Sequence, residues 1–349
     1  MSSDPPLRDA LDPPRAHGEP LGNGRLKLTP EDFQVEEDLG FAPSGAGQHV
    51  LLRVRKCDAN TAWVARKLAR LARCPIGAVG YAGMKDRRAI SVQWFSVPRS
   101  ALQNADWLAV QDANFAVLEA HEHHRKLPRG ALAGNRFLIR IRGLAPDARK
   151  LEQRAALIRQ RGVPNYFGPQ RFGREGANLR CLPAQVTKLP AGQRSFVLSA
   201  ARSWIFNRVL AERVRAGNWD RLQAGDLANL EGRGSFFAVH EPDPDLEERL
   251  AALQIHPTGP LWGRGAPPSG GAVRALEEHL AAGLPEAASL VAAAGMDQER
   301  RALRLIVQEL QLHAEAEVIT LRFRLGRGAY ATSILRELFE LDQGSDSST

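Results

Sequence analysis

Cysteine is scarce in this chain: Cys57, Cys74 and Cys181 are the only three in 349 residues. An odd number at distant positions makes neither a disulfide framework nor a zinc ribbon. Histidine gathers at one place, His121, His123 and His124. No cysteine or second histidine pair stands at ligand spacing beside it, so no metal is expected, because a metal site needs three or four convergent ligands. Long apolar runs are missing as well. None approaches the roughly 18 residues that a membrane span requires. The opening stretch, with Asp4, Pro5, Pro6, Asp12, Pro13 and Pro14, lacks the apolar core of a signal peptide. No internal repeat is visible. These absences lead to the expectation of a soluble, cytoplasmic protein.

What is present leans basic. Lys and Arg number 47 against 39 Asp and Glu, a formal charge of +8, and basic surfaces gain by neutralising phosphates and releasing counterions. A polyanionic partner follows. Apolar residues at 44% and charged residues at 25% are ordinary for a globular chain, and the length favours two domains.

The pattern along the chain is mixed. Residues 1 to about 22 read as a flexible arm. Strands are expected at His49–Arg55 and Phe137–Arg142, where Ile139 and Ile141 alternate with arginines, the period of a half-buried strand. The clearest strand is late: Ile319, Leu321, Phe323 and Leu325 alternate with polar residues. Asn60 is placed to cap a helix carrying Val64, Leu68 and Leu71 on one face, and Leu151, Ala155 and Ile158 mark another. Ser199 is expected to cap a third, with Phe206, Leu210 and Val214 inward. The breakers of 257–272 predict a long loop, and Ser333 leads into a short helix with Leu335, Leu338 and Phe339.

Three segments carry chemistry. In GYAGMKDRRAISVQW, residues 80–94, Asp86 lies among Lys85, Arg87 and Arg88. Close cations favour the ionised acid, glycines permit close backbone approach, and an ionised, positioned aspartate is a covalent nucleophile. A surface turn with solvated arginines explains the same letters. In GVPNYFGPQRFGREG, residues 162–176, Tyr166, Phe167 and Phe172 interleave with Arg171 and Arg174. Rings that stack on bases beside cations that hold phosphates suit single-stranded RNA; a buried aromatic turn is the other reading. In KLTPEDFQVEE, residues 27–37, Phe33 reads by itself as core.

Six segments together resemble the TruD family of tRNA pseudouridine synthases: TPEDFQVEEDLGF, GYAGMKDRRAISVQW, KLPRGALAGNRF, GVPNYFGPQRFG, LSAARSWIFNRVLAERV and RGAYATSILREL, in the family's order. The resemblance implies isomerisation of a uridine, at position 13 of tRNA, without metal, cofactor or obligate protein partner. It puts the nucleophile on Asp86 and the base-holding groups on Phe33, Asn135, Phe137 and Tyr330, the last standing where the family usually has Phe. Lys85 and Lys27 become the candidates to keep Asp86 charged. It implies an α+β fold: a catalytic domain on a mixed β-sheet, residues 23–160 and 304–349, interrupted by an inserted family-specific α/β domain, 161–303. On that plan the late strand returns to the first domain, Tyr330 comes to Asp86, and RNA lies in a basic cleft. A catalytically silent RNA-binding protein or RNA chaperone is the alternative from another class. An aspartate-nucleophile glycosidic hydrolase is disfavoured, because such enzymes use a second carboxylate and GYAGMKDRRA supplies none.

Overall fold

The computed structural model describes residues 5–99, 106–173, 176–180, 186 and 189–343. Cys181 and Arg174 lie outside the described residues. The chain divides into two compact units, whose boundaries differ from those expected. One takes Pro20–Ala155, Val307–Gly328 and Leu338–Thr349; the other takes Met1–Glu19, Ala156–Ile306 and Ala329–Glu337. Among the described residues no helix is long and apolar enough to cross a membrane.

The first unit is an eleven-stranded mixed sheet. Its long path runs Gln308–Glu315, Val318–Gly326, Gly134–Arg142, Phe33–Asp38, Ile90–Pro98, His49–Cys57, Phe115–His123 and Gln111–Asp112. Phe33–Asp38 pairs antiparallel with Gly134–Arg142 on one side and parallel with Ile90–Pro98 on the other. Side chains alternate across a pleated strand, so Phe33, Val35 and Glu37 share the buried face while Gln34, Glu36 and Asp38 do not. The late strand behaves as its letters predict: Ile319, Leu321, Phe323 and Leu325 are buried. Helix Thr61–Leu71 packs Val64, Ala65 and Leu68 on Leu52, Val54, Phe95 and Val97, with Asn60 at its N-cap.

The second unit is built round the 25-residue helix Ala191–Arg215, whose Ile205, Phe206 and Leu210 are sealed from solvent. Ser199 is therefore inside a helix rather than at its start; Pro190 stands at the N-cap, and the Ser199 hydroxyl accepts a hydrogen bond from Arg171 Nη1 at 2.9 Å. The expected arm is also different. Pro5–Leu11 is helical, Ala10 joins the core, and buried Asp9 pairs with Arg215. The predicted loop at 257–272 begins as part of the strand Ile255–Leu261 and ends in the helix Gly271–Ala282. A proline in a strand loses its donor but keeps its acceptor, and the Pro257 carbonyl accepts from Leu303 N at 2.8 Å.

One glycine decides how closely the strands around Asn135 approach. Gly134 faces Gly326 across the sheet, and a Cβ on Gly134 would run into the Leu325 carbonyl oxygen, whereas one on Gly326 would meet open space. Gly134→Ala is expected to lower the unfolding free energy by about 1–3 kcal/mol, the usual cost of overpacking. Gly326→Ala should stay within about 0.5 kcal/mol of the parent. Urea denaturation of the two variants checks the pair.

Candidate active site

The segment that carries Asp86 is short and irregular, and it is tied down by groups that are themselves buried. After Gly80–Tyr81 the chain runs through Gly83, Met84, Lys85 and Asp86 before strand Ile90–Pro98. The Gly83 carbonyl accepts from Gln93 Nε2 at 2.6 Å, and the Lys85 amide donates to Thr61 Oγ1 at 3.0 Å. Thr61 in turn donates to Gln93 Oε1 at 3.0 Å. The Asp86 carbonyl accepts from Lys56 Nζ at 2.8 Å. Thr61, Gln93 and Lys56 have no exposed surface. Along this stretch Lys85 turns in and Asp86 turns out: their side chains are 9% and 56% exposed.

The two lysines divide the work differently from the expectation. The direct partner of Lys85 is Glu37, at 2.7 Å, and Glu37 is wholly buried. Its other oxygen accepts from the Trp94 amide at 2.9 Å. A buried ammonium is costly unless it is compensated, and Glu37 compensates this one. The cation on Asp86 is Lys27, with Nζ 2.5 Å from Oδ2. Lys27 follows strand Asn23–Leu26 directly and has a left-handed backbone, φ 59°, an uncommon state for a residue with a Cβ. The same ammonium lies 4.3 Å from the centre of the Phe33 ring, so it bridges the carboxylate and an aromatic face.

Phe33 opens a row of rings across three strands. Phe33 and Phe137 meet edge-on at 6.1 Å, and Phe137 stacks on Phe323 at 5.1 Å with 24° between planes. Phe137 and Phe323 are register partners, so the stack follows from the pairing of Gly134–Arg142 with Val318–Gly326. Phe33 and Phe323 are buried, and Phe137 is half-buried. Asn135 sits two residues along the same face, opposite Glu37. Its Oδ1 is buried and lacks a hydrogen-bond partner among the described residues. A buried acceptor left unused costs free energy, which suits an atom waiting for a donor on a ligand.

Asp86, Lys27, Phe33, Phe137, Asn135 and Lys85 thus all belong to the sheet unit. Tyr330 belongs to the other unit. There its hydroxyl accepts from Arg171 Nη2 at 2.5 Å, and its ring lies edge-on to Phe167 at 6.1 Å. Tyr166, Phe167 and Phe172 are buried at 2%, 8% and 0% exposure. They form part of the core of that unit and offer no open face for a base, so the buried-turn reading of 162–176 holds for its rings. Arg202 is likewise engaged, with Glu299 and with the Leu261 and Asp297 carbonyls. In the histidine cluster, His123 stacks on Phe41 at 5.5 Å and accepts from the Ser44 amide, which is a packing role.

Sequence reading missed Glu37, Lys56, Thr61 and Gln93. Glu37 alone leaves a signal: an acid at the inward position of the alternation Phe33, Val35, Glu37. Chemically, the assembly offers an accessible carboxylate held by an ammonium, an aromatic floor and an unused amide acceptor. That combination suits an aromatic heterocycle bearing an N–H, presented beside a nucleophile.

Comparison with known proteins bears on which heterocycle. The family described as tRNA pseudouridine synthase D (TruD) matches residues 16–188 and 180–338. The tRNA pseudouridine synthase D of Methylococcus capsulatus is 46% identical over 98% of this chain and 98% of its own. That of Azotobacter vinelandii is 46% identical over 94% of each. The crystal structure assigned to tRNA pseudouridine synthase D of Methanosarcina mazei, 20% identical, covers 97% of this chain and 98% of its own with a TM-score of 0.69, and it shares the α+β fold. With both halves of the sequence matched and nearly half the residues shared over almost the whole length, the chain belongs to the TruD family of tRNA pseudouridine synthases.

Proposed function

We propose that this chain isomerises uridine to pseudouridine in tRNA, at position 13, with the Asp86 carboxylate as nucleophile. The observation that carries the reading is the ion pair of exposed Asp86 with Lys27, whose ammonium also rests on Phe33. In the reaction the bond from ribose C1′ to N1 of uracil breaks. The freed base turns over, and C1′ is rejoined to C5. The hydrogen on C5 leaves and N1 gains one, so atoms balance without an oxidant or donor. The carboxylate serves a route through a glycosyl ester at C1′ and a route through a glycal alike. Lys27 pairs with it, while Phe33 and Phe137 keep the detached base by stacking, a role that the family resemblance extends to Tyr330. The idle Asn135 Oδ1 accepts from the uracil N3–H. The uridine must first leave its stack, at a cost of a few kcal/mol that falls where the site is not helical.

The excess of basic residues, +8 overall, supports binding through phosphates. Affinity for tRNA should fall steeply with salt, each phosphate contact contributing roughly 0.9 or less to the log–log slope. Filter binding over a salt series measures it, and an affinity indifferent to salt counts against phosphate contacts.

Tyr330 differs from Phe only by a hydroxyl already engaged with Arg171. Tyr330→Phe should keep turnover within about threefold, whereas Tyr330→Ala loses the stacking ring, worth about 1–3 kcal/mol per base. Equal turnover in the two variants removes Tyr330 from base binding.

Asp86→Asn and Asp86→Ala should bind tRNA with close to parental affinity and form no pseudouridine, since neither side chain is a carboxylate nucleophile. Release of tritium from C5 of labelled uridine in tRNA is the assay. Release by folded Asp86→Ala within about tenfold of wild type, or about 1.4 kcal/mol of barrier, rules out the nucleophile. Binding without any release by wild type favours the silent RNA-binding reading.

A further inference from the structure

Lys56 lies near the end of strand His49–Cys57 with no exposed surface, and lysines are almost never fully buried unless paired. Its ammonium donates to two backbone carbonyls, Ala59 and Asp86, each at 2.8 Å. Among the described residues no carboxylate forms an ion pair with it. Ala59 comes just before helix Thr61–Leu71, and Thr61 at the start of that helix accepts the Lys85 amide. The peptides on either side of the Lys85–Asp86 link are therefore gripped twice, once through an N–H and once through a C=O. Both grips come from the same short stretch, residues 56–61.

We propose that Lys56 is a positioning residue for the reaction: it fixes the backbone from which the Asp86 carboxylate projects and sets a positive charge behind it, without touching the base. The inference rests on Asp86 being the nucleophile. A buried cation that spends its hydrogen bonds on carbonyls is costly to maintain, and a fold that merely needed two carbonyls satisfied has cheaper donors in amides and hydroxyls. The carbonyl of the nucleophile itself is one of the two atoms held.

Burial pushes the Lys56 ammonium down to about 8 from its ordinary 10.5, against the pull of Asp86. Lys85 adds to the fall, while Cys57 and Asp58 oppose it. Its neighbours across the sheet, Ser91 and Phe115, carry no charge. The charge is thus present below that value and lost above it. A neutral amine still donates, but hydrogen bonds from a charged donor are roughly twice as strong, so the grip loosens as pH rises.

The test uses the full chain as wild type, Lys56→Met and Lys56→Arg. Amide hydrogen exchange reads the grip directly and needs no turnover. Residues 83–88 should exchange about tenfold faster or more in Lys56→Met, with residues 134–142 unchanged, as expected of a local opening. Single-turnover rates at saturating enzyme should fall about a hundredfold in Lys56→Met at unchanged tRNA affinity, the pattern of a loss confined to the chemical step. In wild type, and equally in Cys57→Ser, the rate should decline above pH about 8; in Lys56→Arg, whose guanidinium stays charged, that decline should vanish. Unchanged exchange in Lys56→Met, or a wild-type profile flat to pH about 9.5, overturns the proposal. Should Lys56→Met fail to fold, the profiles of wild type and Lys56→Arg decide. Failure of the Asp86 reading shows separately, as turnover surviving Asp86→Asn.

Discussion

Glu37 is carried inward by the pleat of its own strand. Phe33 and Val35 must face the core, and two residues further on the carboxylate has no other side to occupy. An ionised carboxylate stranded in a low-dielectric interior costs several kcal/mol, so a cation and a donor have to come to it. Lys85 supplies the first and the Trp94 amide the second. Lys85 is committed inward, and the next side chain, Asp86, is exposed. The candidate nucleophile thus lies exposed directly after a residue that satisfies a different acid on a neighbouring strand.

Three lysines surround this point, and each meets a different dielectric problem. Lys27 is partly solvated and pairs with an exposed acid, an arrangement that contributes little to stability by itself. Lys85 is buried with a full counter-charge. Lys56 is buried with only carbonyl dipoles in contact. One residue type spans the range from a solvent-screened contact to an interior charge, and only the fold decides which lysine has which task.

Much of this was legible in the chain itself, but unevenly. Alternation disclosed the strand at 319–325, because one face of that strand is buried and the other is not. The six motif segments disclosed the family, and the expectation placed on Asp86, Phe33 and Asn135 rests on that resemblance. The network of Lys56, Thr61 and Gln93 left no local trace: each is an ordinary residue in an ordinary element, and its role arises from contacts across 10 to 32 positions. The misread helix start at Ser199 has a similar cause. A serine reads as a cap when the sequence is scanned locally, yet here its hydroxyl serves an arginine 28 positions away. In 162–176 the rings were visible but their burial was not, since the same letters serve an open platform and a closed core.

The strand that delivers Lys27 has two neighbours. Asn23–Leu26 runs antiparallel to Gly134–Arg142 and parallel to Glu340–Gln343. The ammonium that holds Asp86 is therefore anchored partly by residues that leave the ribosome more than three hundred positions after it. Without residues 340–343 the strand that brings this cation lacks one of its two rails. The charge pair of Lys27 with Asp86 is thereby tied to a strand more than three hundred positions further along the chain.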